Sequence, residues 1–106
     1  MAEDETAPRI GLLLAAGHSR RFGPADKLLA PFDGKPLVCH AAAALRTAGT
    51  DRLIAVVRSA RVAACLPGFE LVMLSEEDAP QSASLHAGIR RAVALKAAGV
   101  LVTLGD

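Results

Sequence analysis

Four short apolar runs are spaced along the chain, and a polar or glycine-containing segment follows each of them. The runs span residues 10–16, 52–57, 70–74 and 100–104. Continuous apolar runs of this length predict strands that are buried on both faces, as in a parallel sheet. Stretches with a helical pattern lie between them, at 37–48, 60–66 and from 82 up to Gly99. Strands that alternate with helices predict an α/β fold built from parallel β-α-β units with right-handed crossovers.

The ends of the helices are marked by residues that favour capping or termination. Gly49 follows the first helical stretch and is a good C-terminal cap, and Pro67-Gly68 ends the second. Ser82 is expected to be the N-cap residue of the third helix.

The length of the chain, 106 residues, suits one small domain. We expect residues 1–8 to be a flexible N-terminus and residues 9–106 to form a single domain. Because the last strand is followed by only Gly105 and Asp106, we expect this domain to be truncated after its fourth strand. The open edge of such a sheet would favour self-association.

Composition argues against two classes of partner. The net charge is +1, and the chain has three Phe but no Trp or Tyr, so neither a basic patch nor a set of stacking rings for nucleic acid is expected. The acidic N-terminal residues carry no secretory signal, and no apolar run reaches the ~20 residues that span a bilayer. We therefore expect a soluble cytoplasmic protein. Cys39 and Cys65 are predicted to be buried free thiols on helices.

The loop after the first predicted strand carries the first candidate chemistry. Small residues end the strand at Ala16 and Gly17, and the loop then contains the cations Arg20, Arg21 and Lys27. Such a turn lets backbone N–H groups approach an anion, while Arg and Lys neutralise phosphate charge. The loop is neither a P-loop nor the dinucleotide-binding Gly-x-Gly-x-x-Gly. A solvated basic connection between strand and helix is the alternative interpretation.

Two further segments carry polar groups where a ligand would bind. Ser82 and Ser84 fall at the start of the third helix, where a helix N-terminus favours anions. Asp106 follows the last apolar strand, a place where a carboxylate can hold Mg²⁺ together with phosphates and water. A solvated terminal aspartate is the alternative for Asp106.

These segments together resemble the motifs of one enzyme family. Leu14-Ala-Ala-Gly-x-Ser-x-Arg-x-Gly23, followed by Lys27, is similar to the signature loop of MobA-like nucleotidyltransferases. The segment from Lys27 to Val38 (KLLAPFDGKPLV) resembles the sequence that usually follows this loop in the family. Ser82-x-Ser-Leu-x-x-Gly88 resembles the family's second nucleotide motif. The family contains molybdenum cofactor cytidylyl- and guanylyltransferases and is related to sugar-nucleotide pyrophosphorylases. The resemblance implies a Rossmann-like, three-layer nucleotidyltransferase fold, of which residues 9–106 would be the nucleotide-binding portion, with the C-terminal half absent.

The resemblance also implies roles for individual residues. Arg21 and Lys27 would be catalytic, Lys27 by stabilising charge on the α-phosphate as pyrophosphate leaves. Asp106 would bind Mg²⁺, or alternatively Mn²⁺. The residues implied in nucleotide binding are Leu14, Ala15, Ala16, Gly17, Ser19, Arg20, Ser82, Ser84 and Leu85.

The implied reaction is attack by an acceptor's phosphate on the α-phosphorus of a nucleoside triphosphate, with release of pyrophosphate. Leu-Ala-Ala-Gly in the first loop and Ser-x-Ser-Leu in the second motif are similar to the cytidylyltransferase branch, which favours CTP and a molybdopterin-type acceptor. Two alternatives stay open at this point. One is a related nucleotidyltransferase that acts on a sugar phosphate or methylerythritol phosphate, and the other is a non-catalytic nucleotide-binding fragment.

Overall fold

The computed structural model describes residues 7–16, 27–74 and 81–105, without the side chains of Lys27 and Gln81. These residues form strands, three α-helices and a short 3-10 helix, Lys27–Leu29. The strands are β1 (Arg9–Ala15), β2 (Pro31–Phe32), β3 (Lys35–Pro36), β4 (Arg52–Val57), β5 (Glu70–Met73) and β6 (Gly99–Leu104). The helices are α1 (Leu37–Thr47), α2 (Ala60–Ala63) and α3 (Gln81–Ala94).

The main sheet has the strand order β5-β4-β1-β6, and all of its pairings are parallel. β1 pairs with β4 from Ile10 to Ala15 and with β6 from Arg9 to Leu14. The α/β fold class is therefore confirmed, and each of the four predicted strands lies within one residue of its expected bounds.

Alternate residues of β1 and β4 point to opposite faces of the sheet and form two separate cores. Leu13 and Val57 belong to the core beneath α1 and α2, while Leu12 and Val56 belong to the core beneath α3. Because both faces are covered, the central strands are apolar throughout rather than alternating. The result is the expected three-layer arrangement of helices, sheet and helix.

Two glycines allow close packing on this sheet. A Cβ on Gly88 of α3 would lie 2.6 Å from Cδ1 of Leu12, so α3 can approach β1 only without a side chain at this position. A Cβ on Gly11 would lie 2.9 Å from Oγ1 of Thr50 and 3.0 Å from Leu45. Gly88 is also the glycine of the Ser-x-Ser-Leu-x-x-Gly motif, which gives that residue a packing role.

The third helix differs from its predicted bounds. It begins at Gln81, so Ser82 lies inside the first turn and the N-cap prediction was wrong. It ends at Ala94 rather than near Gly99, because Lys96 adopts a positive φ of 59°. The amide of Ala97 then donates to the carbonyl of Ala92, which closes the helix before β6 begins.

A small hairpin was not predicted. β2 and β3 pair antiparallel across Asp33 and Gly34, which have φ values of 53° and 84°. Asp-Gly is the favoured sequence for a two-residue hairpin turn with positive φ, so the signal was present in the sequence. Nε2 of His40 on α1 lies 2.5 Å from the carbonyl oxygen of Phe32, which attaches the hairpin to the domain.

The cysteines are less buried than predicted. Cys39 on α1 and Cys65, which follows α2 rather than lying on it, are both half-buried and free. Burial raises the pKa of the Cys65 thiol, and the neighbouring Cys39 thiol raises it further.

Strand β6 differs from the other strands in its exposure. Val100, Leu101, Val102 and Leu104 are between 36% and 50% exposed, whereas a buried strand was expected. The reason is its position, because within the described ranges β6 pairs with β1 on one side alone. Among the described helices, none has the length and apolar character needed to cross a membrane.

Candidate functional site

The carboxyl ends of the parallel strands meet at one edge of the sheet. β1 ends there at Ala15, β4 at Val57 and β6 at Leu104, and α3 begins at Gln81 after the segment that follows β5. In open parallel sheets, ligands bind at this edge. The motifs identified in the sequence all follow one of these strand ends.

The predicted nucleotide-binding residues at the end of β1 are buried. Leu14, Ala15 and Ala16 are 8%, 1% and 3% exposed, and their side chains belong to the two cores. Any contact that these residues make with a ligand must therefore use backbone groups. Two of their carbonyls already have partners: that of Leu14 accepts from the amide of Gly105, and that of Ala16 from Nε of Arg58.

Gly105 joins the end of β6 to the end of β1. Its amide donates a 2.9 Å hydrogen bond to the carbonyl oxygen of Leu14. A Cβ at this position would lie 3.1 Å from that oxygen and 3.1 Å from Cδ2 of Leu28, which is closer than most Cβ contacts, so a side chain here would have to displace its neighbours slightly. Asp106 is the next residue along the chain, and it lies outside the described residues.

The start of α3 presents three predicted residues in two different environments. Ser84 is 3% exposed and is the buried polar residue among those described, whereas Ser82 is exposed and Leu85 is 40% exposed. The helix continues for 14 residues, long enough for its N-terminus to carry a substantial partial positive charge. Ser84 thus faces inward, while Ser82 and Leu85 remain accessible to a ligand.

The first candidate loop is described only at its end. Lys27 opens the 3-10 helix, and the next residue, Leu28, is 4% exposed against the core and beneath Gly105. The backbone of Lys27 is therefore anchored beside the ends of β1 and β6. Gly17, Ser19, Arg20 and Arg21, which were predicted to bind phosphate or to be catalytic, lie outside the described residues.

Sequence reasoning missed Arg58. This half-buried residue follows β4 directly, and its Nε lies 2.9 Å from the carbonyl oxygen of Ala16. A signal was available, because a cation directly after a buried strand falls at the ligand-binding edge of a parallel sheet.

A second depression lies at the opposite edge, where β4 and β5 begin. It has a volume of about 310 Å³ and is lined by Thr50, Asp51, Arg52, Leu53, Gly68 and Glu70. The pKa of the Glu70 carboxyl is lowered by a hydrogen bond from Arg91 and by the charges of Arg91 and Arg52. Arg9 forms a hydrogen bond and an ion pair with Asp51. These charges pair with each other, which indicates a structural role for this edge.

The residues that the structure describes contain no group of three potential metal ligands from His, Cys, Asp or Glu.

The fold is an α/β domain with a parallel sheet covered by helices on both faces, and comparison with known proteins identifies the family. The chain belongs to the MobA-like NTP transferase domain family, whose model matches residues 11–106. A probable molybdenum cofactor guanylyltransferase from Haloferax mediterranei is 38% identical over 88 residues, which is 80% of this chain and 40% of that protein.

Solved structures show the same relationship. A nucleotidyl transferase from Methanothermobacter thermautotrophicus has a TM-score of 0.76 and 29% identity, over 93% of this chain and 50% of that one. Rv0371c from Mycobacterium tuberculosis has a TM-score of 0.72 and 28% identity, over 94% and 53%. The same protein in complex with manganese has a TM-score of 0.69 and 28% identity, over 94% and 51%. The chain thus spans about half the length of these proteins or less.

Proposed function

We propose that residues 9–106 form the nucleotide-binding portion of a nucleotidyltransferase. Of the expected flexible N-terminus, residues 1–6 lie outside the described residues. The reaction is attack by a phosphate oxygen of an acceptor on the α-phosphorus of a nucleoside triphosphate. The α–β phosphoanhydride bond breaks, and pyrophosphate leaves with the electron pair. The observation that supports this proposal is the hydrogen bond from the amide of Gly105 to the carbonyl oxygen of Leu14, which joins the ends of β6 and β1.

In this reaction the protein binds, orients and neutralises charge, and it forms no covalent bond with the substrate. Gly17, Ser19 and Arg20 would bind the triphosphate, with Arg21 and Lys27 offsetting the charge that develops on the α-phosphate and on pyrophosphate. The anchoring of Leu28 in the core supports this role for Lys27, because it holds the adjacent backbone beside the strand ends.

The proposed reaction includes a divalent metal at this edge of the sheet. Asp106 would supply one carboxylate, which suits Mg²⁺ because that ion usually takes one or two protein carboxylates and completes its shell with phosphate and water. Mn²⁺ would be accepted by the same oxygen ligands, and the manganese complex of the mycobacterial neighbour supports a divalent ion. When bound, the metal would stabilise charge on the phosphates.

Two motifs bear on which nucleobase the site would bind. Leu14-Ala-Ala-Gly17 and Ser82-x-Ser84-Leu85 favour CTP, with the accessible Leu85 as a contact for the base. The name of the haloarchaeal relative favours GTP as the second candidate. The acceptor would carry a phosphate, and a molybdopterin-type acceptor follows from the same relative, with sugar phosphates as the competing class.

Calorimetric titration of the chain with CTP, GTP and ATP, each with and without Mg²⁺, tests this function. We expect Mg²⁺-dependent binding, with CTP preferred by at least about tenfold. Preferential binding of GTP would show that the preferred base is guanine rather than cytosine, and the proposed reaction would stand. If the chain gives a folded circular dichroism spectrum and binds no nucleotide, the proposed site is wrong for this chain.

A further inference from the structure

Arg58 makes an interaction across the candidate site that the proposed reaction does not use. Ala15 and Val57 are the last paired residues of β1 and β4. Ala16 and Arg58 are the next residues on the two strands, and here the side chain of Arg58 bridges them. Its Nε donates a 2.9 Å hydrogen bond to the carbonyl oxygen of Ala16, 42 positions away in sequence.

This hydrogen bond involves a charged donor and a half-buried side chain. A hydrogen bond from a charged group contributes more than a neutral one, and partial burial protects it from competing water. Because a charged donor holds the carbonyl oxygen of Ala16, the hydrogen bond restrains the backbone at the end of β1.

The same interaction adds positive charge to an edge that would bind a triphosphate. Ala16 is 3% exposed, so its side chain is held in the core while its carbonyl is held by Arg58. The guanidinium is permanently charged and is rigid, unlike the ammonium group of lysine on its flexible stem. These properties suit a group that sets backbone geometry next to a polyanion.

We propose that Arg58 is a positioning residue for the triphosphate subsite, acting through the carbonyl of Ala16 rather than by touching the substrate. The inference rests on the proposed function, since it assumes that the loop after β1 binds a polyphosphate. Loss of the bond would then weaken polyphosphate binding by about tenfold to a hundredfold, the factor that corresponds to one charged hydrogen bond.

Arg58→Ala and Arg58→Lys test the proposal, with inorganic tripolyphosphate as the probe. The carbonyl-carbon NMR shift of Ala16 reports the hydrogen bond, and calorimetry reports the affinity. We expect both variants to move the shift and to lose affinity, Arg58→Lys less than Arg58→Ala. Arg46→Ala is the matched control, because Nη2 of Arg46 donates to the carbonyl of Pro67 at 2.8 Å in the same way, beside the start of β5. It should change neither quantity.

The outcomes separate this proposal from the proposed function. If the Ala16 shift moves and the affinity for tripolyphosphate stays at the wild-type value, Arg58 has no positioning role. If Arg58→Lys binds like wild type although the bond to Ala16 is lost, charge alone is responsible and the proposal fails. If Arg58→Ala does not fold, Arg58→Lys alone decides by the same criteria. Absence of tripolyphosphate binding by the wild-type chain would instead overturn the proposed function along with this inference.

Discussion

Gly88 of α3 lies directly over Leu12 of β1, and a Cβ added to the glycine would come within 2.6 Å of the leucine Cδ1. Helix and sheet are therefore in contact at a point where no side chain fits between them. Because Leu12 is fully buried, it has little space into which it can move. The distance between α3 and the sheet, and hence the position of the helix N-terminus at the candidate site, depends on this contact.

We expect Gly88→Ala to lower the free energy of unfolding by about 1–3 kcal/mol, the usual cost of overpacking a core. Helix propensity alone would predict a gain of about 1 kcal/mol for the same change. Chemical denaturation measures the difference. Gly99→Ala is the control, because a Cβ at Gly99 has no described atom within 4 Å. A stabilised Gly88→Ala would show that α3 does not pack against Leu12 this closely.

Replacement of Lys27 should affect turnover rather than folding. In a preparation that transfers nucleotide, Lys27→Ala should lower kcat by about a hundredfold or more, because an electrostatic contact made in the transition state is lost. Pyrophosphate release measures this loss, and circular dichroism checks the fold. Lys35→Ala, on the exposed hairpin, should keep near-normal turnover. Turnover by Lys27→Ala within a factor of two of wild type would remove Lys27 from the mechanism.

The buried hydroxyl of Ser84 should matter more for a nucleotide than for a phosphate chain. We expect Ser84→Ala to weaken CTP binding by about threefold to tenfold, the value of one hydrogen bond, and pyrophosphate binding by less. Calorimetry with the two ligands measures the ratio. Thr47→Ala removes a hydroxyl that donates to the carbonyl of Ala43 at the far end of α1 and should change neither affinity. Equal losses for both ligands would argue against a role for Ser84 in the base pocket.

The ion pair between Glu70 and Arg91 links β5 to α3 and should make stability depend on pH. The pKa of Glu70 is lowered in the folded chain, chiefly by its hydrogen bond from Arg91. Its contribution is therefore fully present above the unfolded value of 4.5 and is lost as the pH falls through the lowered folded pKa. Because both side chains are partly exposed, Arg91→Gln should lower the free energy of unfolding only slightly at neutral pH.

Urea denaturation at pH 7 and at acidic pH measures this dependence. The difference between wild type and Arg91→Gln should shrink as the pH falls below 4.5. Arg90→Gln changes an exposed charge on the same helix and controls for net charge. A difference that stays constant between neutral and acidic pH would show that the pair does not couple folding to the protonation of Glu70.

The exposed strand β6 should promote self-association. Val102 lies in its middle, is 41% exposed and shares a sheet face with Leu12. We expect the chain to elute from a sizing column above its mass of 10.9 kDa, and Val102→Lys to shift it towards the monomer, because charge on an edge strand opposes pairing. Val93→Lys, on the exposed face of α3, is the control. A monomeric wild-type chain would contradict this expectation.

The sequence was sufficient to predict features that depend on local pattern. The apolar run Arg52–Val57 gave a strand with those bounds, and the alternation of strands with helices gave the α/β class. Ser82 was misassigned as an N-cap because both Ser82 and Ser84 suit a helix start. The pattern alone does not determine at which residue the helix begins. The exposure of β6 was missed because burial depends on what lies beside a strand, which its own residues do not encode.

Contacts between distant segments could not be predicted from the sequence, for a different reason. The bond from Arg58 to Ala16 exists because β1 and β4 are in register at Ala15 and Val57, and register emerges only when two strands pair. The same holds for the proximity of Gly105 to Leu14. Within the candidate site, the residue types were therefore predictable from the sequence, while the hydrogen bonds that hold these residues in place were not.

The position of β1 in the centre of the sheet has a consequence for biosynthesis. β1 is bonded on one side by β4 and on the other by β6, whose last residue is Leu104. A nascent chain can thus complete only one flank of β1 until β6 has left the ribosome, and the apolar residues of β1 that β6 will contact stay uncovered. Chaperone binding to β1 during this interval would protect the chain, since unpaired edges of parallel sheets are prone to aggregate.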